Sequence, residues 1–162
     1  MTAPQFQPPP LKFPPPTKTD TAKQWQQQLR SRGWHITVDG VYGGESKRLC
    51  TNFQKEHRLD TDGIVGPNTW KATWEAPSTK PPEAPSRTLQ KGDMNNEDVR
   101  RWQQQVNDRG WPDLIADGDF GPKTEAICKD MQKFKGLPVT GKVDHQTWDA
   151  AWLEKVAVGA SM

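Results

Sequence analysis

The chain has 162 residues, of which 32% are hydrophobic, and its mean hydropathy is −0.94. No apolar run approaches the ~18 residues that a membrane-spanning helix needs, so the sequence predicts no membrane span. The net charge of only +2 provides no basic stripe, and we therefore predict no nucleic-acid partner.

The first 18 residues contain two Pro triplets. Because Pro fixes φ and lacks a backbone N–H, this stretch is predicted to form an extended arm, residues 1–18, rather than a helix or a central strand. The arm is either a semi-rigid spacer or a docking arm, with Phe6, Leu11 and Phe13 as apolar anchors for a partner. The N-terminus has neither a basic start nor an apolar core, which predicts no secretory signal and synthesis in the cytoplasm.

A series of short motifs then occurs twice. It consists of Trp-Gln-Gln-Gln, Arg-Gly-Trp, an Asp-Gly loop, a helix with a central Cys, and Thr-Trp-x-Ala-x-Trp. The loop reads Asp39-Gly40-Val41-Tyr42-Gly43 in the first copy and Asp117-Gly118-Asp119-Phe120-Gly121 in the second, 78 residues later. Self-similarity at a fixed period is typical of tandem domains. We predict two small domains, residues 19–75 and 89–156, and a flexible tail at 157–162.

The first helix of the first domain is predicted to begin at the N-cap Asp20. Leu29 lies on its apolar face, and Gly33 ends it as a left-handed C′ residue, so that Trp34 can pack back on Leu29. The second domain repeats this arrangement, with Asn96 as a possible cap and Gly110-Trp111 at the helix end. The second copy also carries one extra residue within 112–116, where a loop is predicted.

Two further helices are predicted in each domain. The second helix of each copy carries one of the two cysteines, Cys50 and Cys128, on its apolar face. Single thiols at equivalent positions are typical of core residues, although a bridge between the copies is an alternative. The third helix carries Trp70 and Trp74 at i, i+4 in the first copy, and Trp148 and Trp152 are equivalent in the second.

The segment between the domains, residues 76–88, contains four Pro residues. Its composition predicts a stiff, solvated linker. A linker that restricts the spacing of two domains favours attachment to a polymer at two points. The predicted fold is therefore all-α, with two tandem three-helix domains joined by a Pro-rich linker and preceded by a Pro-rich arm.

These motifs together resemble the peptidoglycan-binding domain 1 family, a three-helix module that targets bacterial and phage cell-wall hydrolases to the wall. In the first copy the resemblance is carried by Trp-Gln-Gln-Gln-Leu, Arg-Gly-Trp, Asp-Gly-Val-Tyr-Gly and the run from Asp62 to Trp70. In the second, Asp144-His145 replaces the Gly-Pro of the family. The resemblance implies non-catalytic binding to peptidoglycan, with no cofactor and no metal.

The resemblance places the ligand groove between the Asp-Gly loop and its neighbouring helices. A glycan or peptide stem is bound by flat aromatic faces and a few fixed polar groups. The candidate ligand-binding residues are Trp34, Asp39, Tyr42, Trp111, Asp117 and Phe120. Each has an alternative role: the two Trp residues can pack at helix ends, the two Asp residues can form turns, and the Tyr and Phe residues can fill the core.

The sequence does not predict an enzyme. Its three His residues, His35, His57 and His145, are scattered without zinc-binding spacing, and there is no Gly-rich phosphate loop. Three hypotheses follow for the biological setting. The protein is a free-standing wall-binding protein, a component of a phage particle docked through its arm, or the targeting subunit of a lytic enzyme. It would act at the bacterial cell wall or be carried there on a phage particle.

Overall fold

The computed structural model describes residues 2–111 and 114–154. The predicted tail at 157–162, and part of the predicted insertion at 112–116, lie outside the described residues. The chain divides into two compact units, unit 1 (Met1–Thr79) and unit 2 (Lys80–Met162). Three helices and one hydrophobic core are described in each unit, so the predicted all-α class with tandem three-helix domains is confirmed.

Unit 1 contains three helices and a minimal antiparallel ladder. The ladder joins the segment before the first helix to the Asp-Gly loop, with Thr17 opposite Tyr42. The elements in chain order are β1 (Thr17–Lys18), α1 (Asp20–Ser31), β2 (Val41–Tyr42), α2 (Gly44–Glu56) and α3 (Pro67–Glu75).

The ends of α1 follow local rules, with one correction. The N-cap is Thr19 and not Asp20, because the Thr19 hydroxyl accepts a hydrogen bond from the Ala22 backbone N–H at 3.0 Å. At the other end Gly33 has φ 96°. This left-handed conformation lets the Trp34 N–H donate to the Leu29 carbonyl at 3.3 Å, as predicted for the helix end.

Unit 2 contains α4 (Glu97–Asp108), α5 (Pro122–Lys135) and α6 (His145–Ala150). Asn96 caps α4 as predicted, since its side chain accepts from the N–H groups of Asp98 and Val99. Asp144 caps α6 by accepting from the Thr147 N–H. The Asp residue that replaces the family's Gly therefore has a local structural role at the start of this helix.

The two cysteines are buried and free, one in each core. Burial raises the pKa of Cys50 and of Cys128 to about 12, so both thiols stay protonated and unreactive at neutral pH. Alkylation of Cys50 then reports the unfolding of unit 1, and alkylation of Cys128 reports the unfolding of unit 2.

The Pro-rich arm packs against unit 1. Leu11 is buried, and its backbone pairs with that of Val65 through two hydrogen bonds of 3.1 and 2.8 Å. The Trp70 indole N–H donates to the Pro4 carbonyl at 2.7 Å, and the Phe6 ring lies edge-on to Trp70 with centroids 5.9 Å apart. All three predicted docking anchors, Phe6, Leu11 and Phe13, thus pack against the core of their own unit.

Unit 2 has an equivalent segment, taken from the stretch predicted as linker. Leu89 pairs with Val143 through two hydrogen bonds of 2.9 and 2.8 Å, and the Trp148 indole N–H donates to the Pro82 carbonyl at 3.0 Å. We call Pro4–Leu11 strap 1 and Pro82–Leu89 strap 2. From Pro82 onward the predicted linker therefore belongs to unit 2, because its backbone supplies the acceptor for a buried indole.

A hydrogen bond in the core of unit 1 has no counterpart in the described part of unit 2. In unit 1 the Trp25 indole N–H donates to the Thr73 hydroxyl at 3.0 Å. The equivalent Trp102 indole N–H has no partner among the described residues, and the residue 78 positions after Thr73 is Ala151. A buried N–H without an acceptor is costly, so unit 2 lacks a stabilising interaction that unit 1 has.

We expect Thr73→Val, which keeps the side-chain shape but removes the acceptor, to lower the free energy of unfolding of unit 1 by about 1–2 kcal/mol. The reciprocal change, Ala151→Thr, is expected to raise that of unit 2. Denaturant titrations followed by Cys50 and Cys128 alkylation measure both effects. If Thr73→Val leaves the unfolding midpoint of unit 1 unchanged, the hydrogen bond from the Trp25 indole N–H to the Thr73 hydroxyl does not stabilise the unit.

Candidate functional site

The Asp-Gly loop of unit 1 is held by one buried side chain. Gln26, fully buried in α1, accepts hydrogen bonds on Oε1 from the N–H groups of Asp39 and Gly40 at 3.1 and 2.8 Å. Its Nε2 donates to the Val41 carbonyl at 3.0 Å and to the Ser46 hydroxyl at 2.9 Å. The loop therefore has its shape fixed through backbone atoms, and a buried amide with this many partners fixes it rigidly.

This arrangement occurs four times in the chain. We call it the glutamine hub: a buried Gln, a turn glycine whose N–H donates to the Gln Oε1, and a Ser or Thr hydroxyl that accepts from the Gln Nε2. In each hub the hydroxyl residue follows the first turn residue by seven positions. The four hubs are Gln26/Gly40/Ser46, Gln54/Gly63/Thr69, Gln103/Gly118/Thr124 and Gln132/Gly141/Thr147.

The turn glycines need a left-handed backbone. The four hub glycines have φ between 71° and 83°, a region that side chains with a Cβ rarely adopt. The third residue after the turn's first position is buried in every hub: Tyr42, Val65, Phe120 and Val143. Each hub thus connects a solvent-facing turn to the core directly beneath it.

The carboxylates of the first turn in each unit are exposed. Asp39 Oδ1 accepts from the Val41 N–H at 2.9 Å and from Gln26 Nε2 at 3.2 Å. Asp117 Oδ1 accepts from the Asp119 N–H at 2.9 Å in the same way. Among the described residues neither Oδ2 atom accepts a hydrogen bond, so each carboxylate forms the turn with one oxygen and presents the other to solvent.

The four candidate aromatic residues lie in the cores. Trp34 and Tyr42 are fully buried, and Phe120 and Trp111 are 1% and 4% exposed. Trp34 packs edge-on against Phe53 with centroids 5.8 Å apart, and Trp111 packs in the same way on Phe134. Protein covers the faces of these rings in this structure, so they cannot stack on a sugar. The four residues therefore take their alternative role, which is packing inside the protein.

Tyr42 has a further role inside unit 1. Its hydroxyl donates to the Gly63 carbonyl at 2.7 Å and so links the two hub turns of the unit. Burial raises the pKa of Tyr42, which keeps the phenol protonated as the donor in this bond. Phe120, its equivalent in unit 2, has no hydroxyl and cannot form the link.

Sequence reasoning missed the second turn of unit 1 as a candidate site. Asp62 is exposed, and its Oδ1 accepts from the Ile64 N–H at 3.0 Å, as Asp39 does in the first turn. It lines an open groove of about 360 Å³ together with Asp60, Asn68 and their neighbours. The signal was present in the sequence as a repeated Asp-Gly followed by a hydroxyl residue at the seventh position. In unit 2 Thr140 replaces this Asp, so the fourth turn has no carboxylate.

The described residues show no metal-binding group of three or more His, Cys, Asp or Glu side chains. No helix within 2–111 or 114–154 is long and apolar enough to cross a membrane.

Each unit is a small helical module with rigid polar turns on its surface. The family described as Putative peptidoglycan binding domain matches residues 18–72 and 95–151. The two matches cover more than half of the chain and coincide with the two sets of helices and hubs. The chain belongs to this family.

The chain is also similar to a protein named Probable N-acetylmuramoyl-L-alanine amidase from Bacillus licheniformis. The two are 28% identical over 135 residues, which cover 74% of this chain and 38% of the relative. The chain therefore spans well under half the length of that relative. No solved structure matches the chain.

Proposed function

We propose that the protein binds peptidoglycan without cleaving it and that each unit is a wall-binding module. The family membership of both units carries this proposal. The hub geometry supports it, because a rigid turn that presents an open carboxylate oxygen is preorganised for a ligand. Asp39 and Asp117 are the proposed acceptors, and Asp62 is added as a third.

The chemistry of these positions suits a glycan with peptide stems. A carboxylate oxygen accepts hydrogen bonds from sugar hydroxyls and from amide N–H groups, and bonds to a charged acceptor are the stronger kind. Tyr42, Trp34, Phe120 and Trp111 contribute indirectly in this proposal, since their burial supports the loops that carry the carboxylates.

We expect the double variant Asp39→Asn/Asp117→Asn to bind purified sacculi about tenfold more weakly, the effect of losing about 1.4 kcal/mol of charge-assisted hydrogen bonding. Asn retains the side-chain oxygen that accepts from the turn N–H groups, so the turns keep their shape. Co-sedimentation with sacculi across a concentration series measures the apparent affinity.

Glu83→Gln is the matched control, because it removes an exposed carboxylate elsewhere in the chain. Unchanged binding of the double variant would show that these two carboxylates do not contact the wall. Failure of the wild-type protein to sediment with sacculi of any wall type would refute peptidoglycan binding itself. Release of soluble muropeptides by the protein alone would refute the non-catalytic part of the proposal.

The second candidate function is the targeting part of a lytic system, which the similarity to a protein named as a probable amidase favours. It predicts that the chain accelerates wall digestion when it is fused to an amidase catalytic domain. The phage-particle hypothesis relies on a docking arm, and the packing of Phe6 and Leu11 in unit 1 does not favour it.

A further inference from the structure

Unit 1 has a second open groove, between the end of its Pro-rich arm and the outer face of α2. It has a volume of about 350 Å³ and is lined by Phe13, Gly44, Lys47, Arg48, Thr51 and Asn52. Two of the lining side chains are cationic and none is acidic. This composition complements a ligand with a negative charge.

The groove is partly preorganised by the glutamine hub next to it. A Cβ added to Gly63 would lie 3.0 Å from Lys47 Cγ and 3.0 Å from Thr51 Oγ1, so both side chains rest on the turn glycine. The Thr51 hydroxyl donates to the Lys47 carbonyl at 2.9 Å. With its hydrogen engaged, the Thr51 oxygen can act towards a ligand only as an acceptor, for example of a peptide N–H.

Phe13 supplies the apolar part of the groove. A Cβ added to Gly44 would lie 4.0 Å from Phe13 Cε1, so the ring sits over the first residue of α2. A ring next to two cations suits a ligand that carries a small apolar group close to an anionic one. The end of a short peptide, with a small side chain and a free carboxylate, has this chemistry.

We propose that the groove formed by Phe13, Lys47, Arg48 and Thr51 binds the carboxylate end of a short peptide, as found at the end of a peptidoglycan stem. The inference rests on the proposed function and assigns to unit 1 a peptide-end site apart from the turn carboxylates. Lys47 and Arg48 bind the carboxylate, Thr51 accepts the adjoining N–H, and Phe13 contacts the small side chain.

Unit 2 lacks this groove chemistry. The residues 78 positions after Lys47, Arg48 and Thr51 are Glu125, Ala126 and Lys129. Glu125 and Lys129 cover the turn glycine Gly141 as Lys47 and Thr51 cover Gly63, which shows that these positions are equivalent. Residues 90–96 contain no aromatic side chain to take the place of Phe13. Peptide-end binding is therefore a property of unit 1.

The test variant is Lys47→Glu/Arg48→Ala, which gives unit 1 the residues that unit 2 has at the two equivalent positions, Glu125 and Ala126. The full-length protein is titrated with N-acetyl-D-alanyl-D-alanine and with its C-terminal amide, and binding is followed by amide chemical shifts. We expect the wild type to bind the acid at least tenfold more tightly than the amide. The variant is expected to lose at least tenfold in affinity for the acid.

Lys55→Glu, on the same helix and outside the groove, is the control for charge reversal on α2 and is expected to bind as the wild type does. Circular dichroism and Cys50 alkylation verify the fold, and Lys47→Gln replaces the double variant if that variant unfolds. Equal affinity for acid and amide, or an unaffected variant, would overturn the inference. Tighter binding of poly(glycerol phosphate) in the same groove would overturn it too, in favour of a wall phosphate polymer.

Co-sedimentation with sacculi separates the two proposals. If the wild type sediments but does not discriminate acid from amide, the peptide-end site is refuted and peptidoglycan binding stands. If the wild type neither sediments nor binds the dipeptide, both are refuted.

Discussion

Gln26→Ala is expected to lower the free energy of unfolding of unit 1 by about 4 kcal/mol, because it leaves buried groups of the loop without partners. The N–H of Gly40 and the hydroxyl of Ser46 lose their bonds to the amide, and the substitution also opens a cavity. A unit of this size is stable by only roughly 4–11 kcal/mol. The loss is therefore a large share of the total.

The two cysteines make the effect measurable within one protein. We expect iodoacetamide to label Cys50 in the variant at denaturant concentrations where the wild type is still protected. Labelling of Cys128 in unit 2 should not change. The neighbouring Gln27 is exposed on the same helix, so Gln27→Ala is the matched control and should shift stability by less than about 0.5 kcal/mol. Equal effects of the two substitutions would contradict a structural role for the hub.

Leu11→Ala is expected to destabilise unit 1 by about 2–4 kcal/mol, although the sequence predicted that this residue lies in an arm outside the domain. Leu11 is 4% exposed, and its loss weakens the packing that holds strap 1 next to Val65. Leu89→Ala is the equivalent change in strap 2 and should act on unit 2. Cys50 alkylation follows the first variant and Cys128 alkylation follows the second.

The adjacent exposed residue provides the control, because Lys12→Ala removes side-chain atoms of strap 1's neighbour without touching the core. If Leu11→Ala behaves as Lys12→Ala does, strap 1 is dispensable and the arm remains either a spacer or a docking arm, the two alternatives that the sequence left open. If strap 1 stabilises unit 1, deletion of the arm has two effects. Loss of a partner after deletion of residues 1–18 would reflect a destabilised unit 1 as well as a lost docking segment.

The helices could be predicted because their signals are local. Pro122 at the first helical position, Asn96 as a cap and Gly33 at a helix end each act within one turn of the backbone, and all are observed. The N-cap of α1 was misassigned by one residue because Thr19 and Asp20 are both good caps. The choice between them follows from the Thr19 N–H, which donates to the Gly40 carbonyl across the loop.

The straps could not be predicted, because Pro-rich composition gives no indication of which carbonyl a distant indole will meet. Pro4 and Trp70 are 66 positions apart, as are Pro82 and Trp148. The candidate site was predicted only in part for a related reason. An aromatic ring beside a turn has the same sequence pattern whether it faces a ligand or fills the core. In units this small the rings are needed to fill the core, and they are therefore buried.

One residue in every turn contributes only its backbone to the hub. The residue two places after the turn's first position contributes its carbonyl to the glutamine, while its side chain is not part of the hub. The four side chains there are Val41, Ile64, Asp119 and Lys142: two aliphatic, one acidic and one basic. One backbone frame thus tolerates very different chemistry at its rim, and libraries randomised at these four sites should yield folded modules with new ligand preferences.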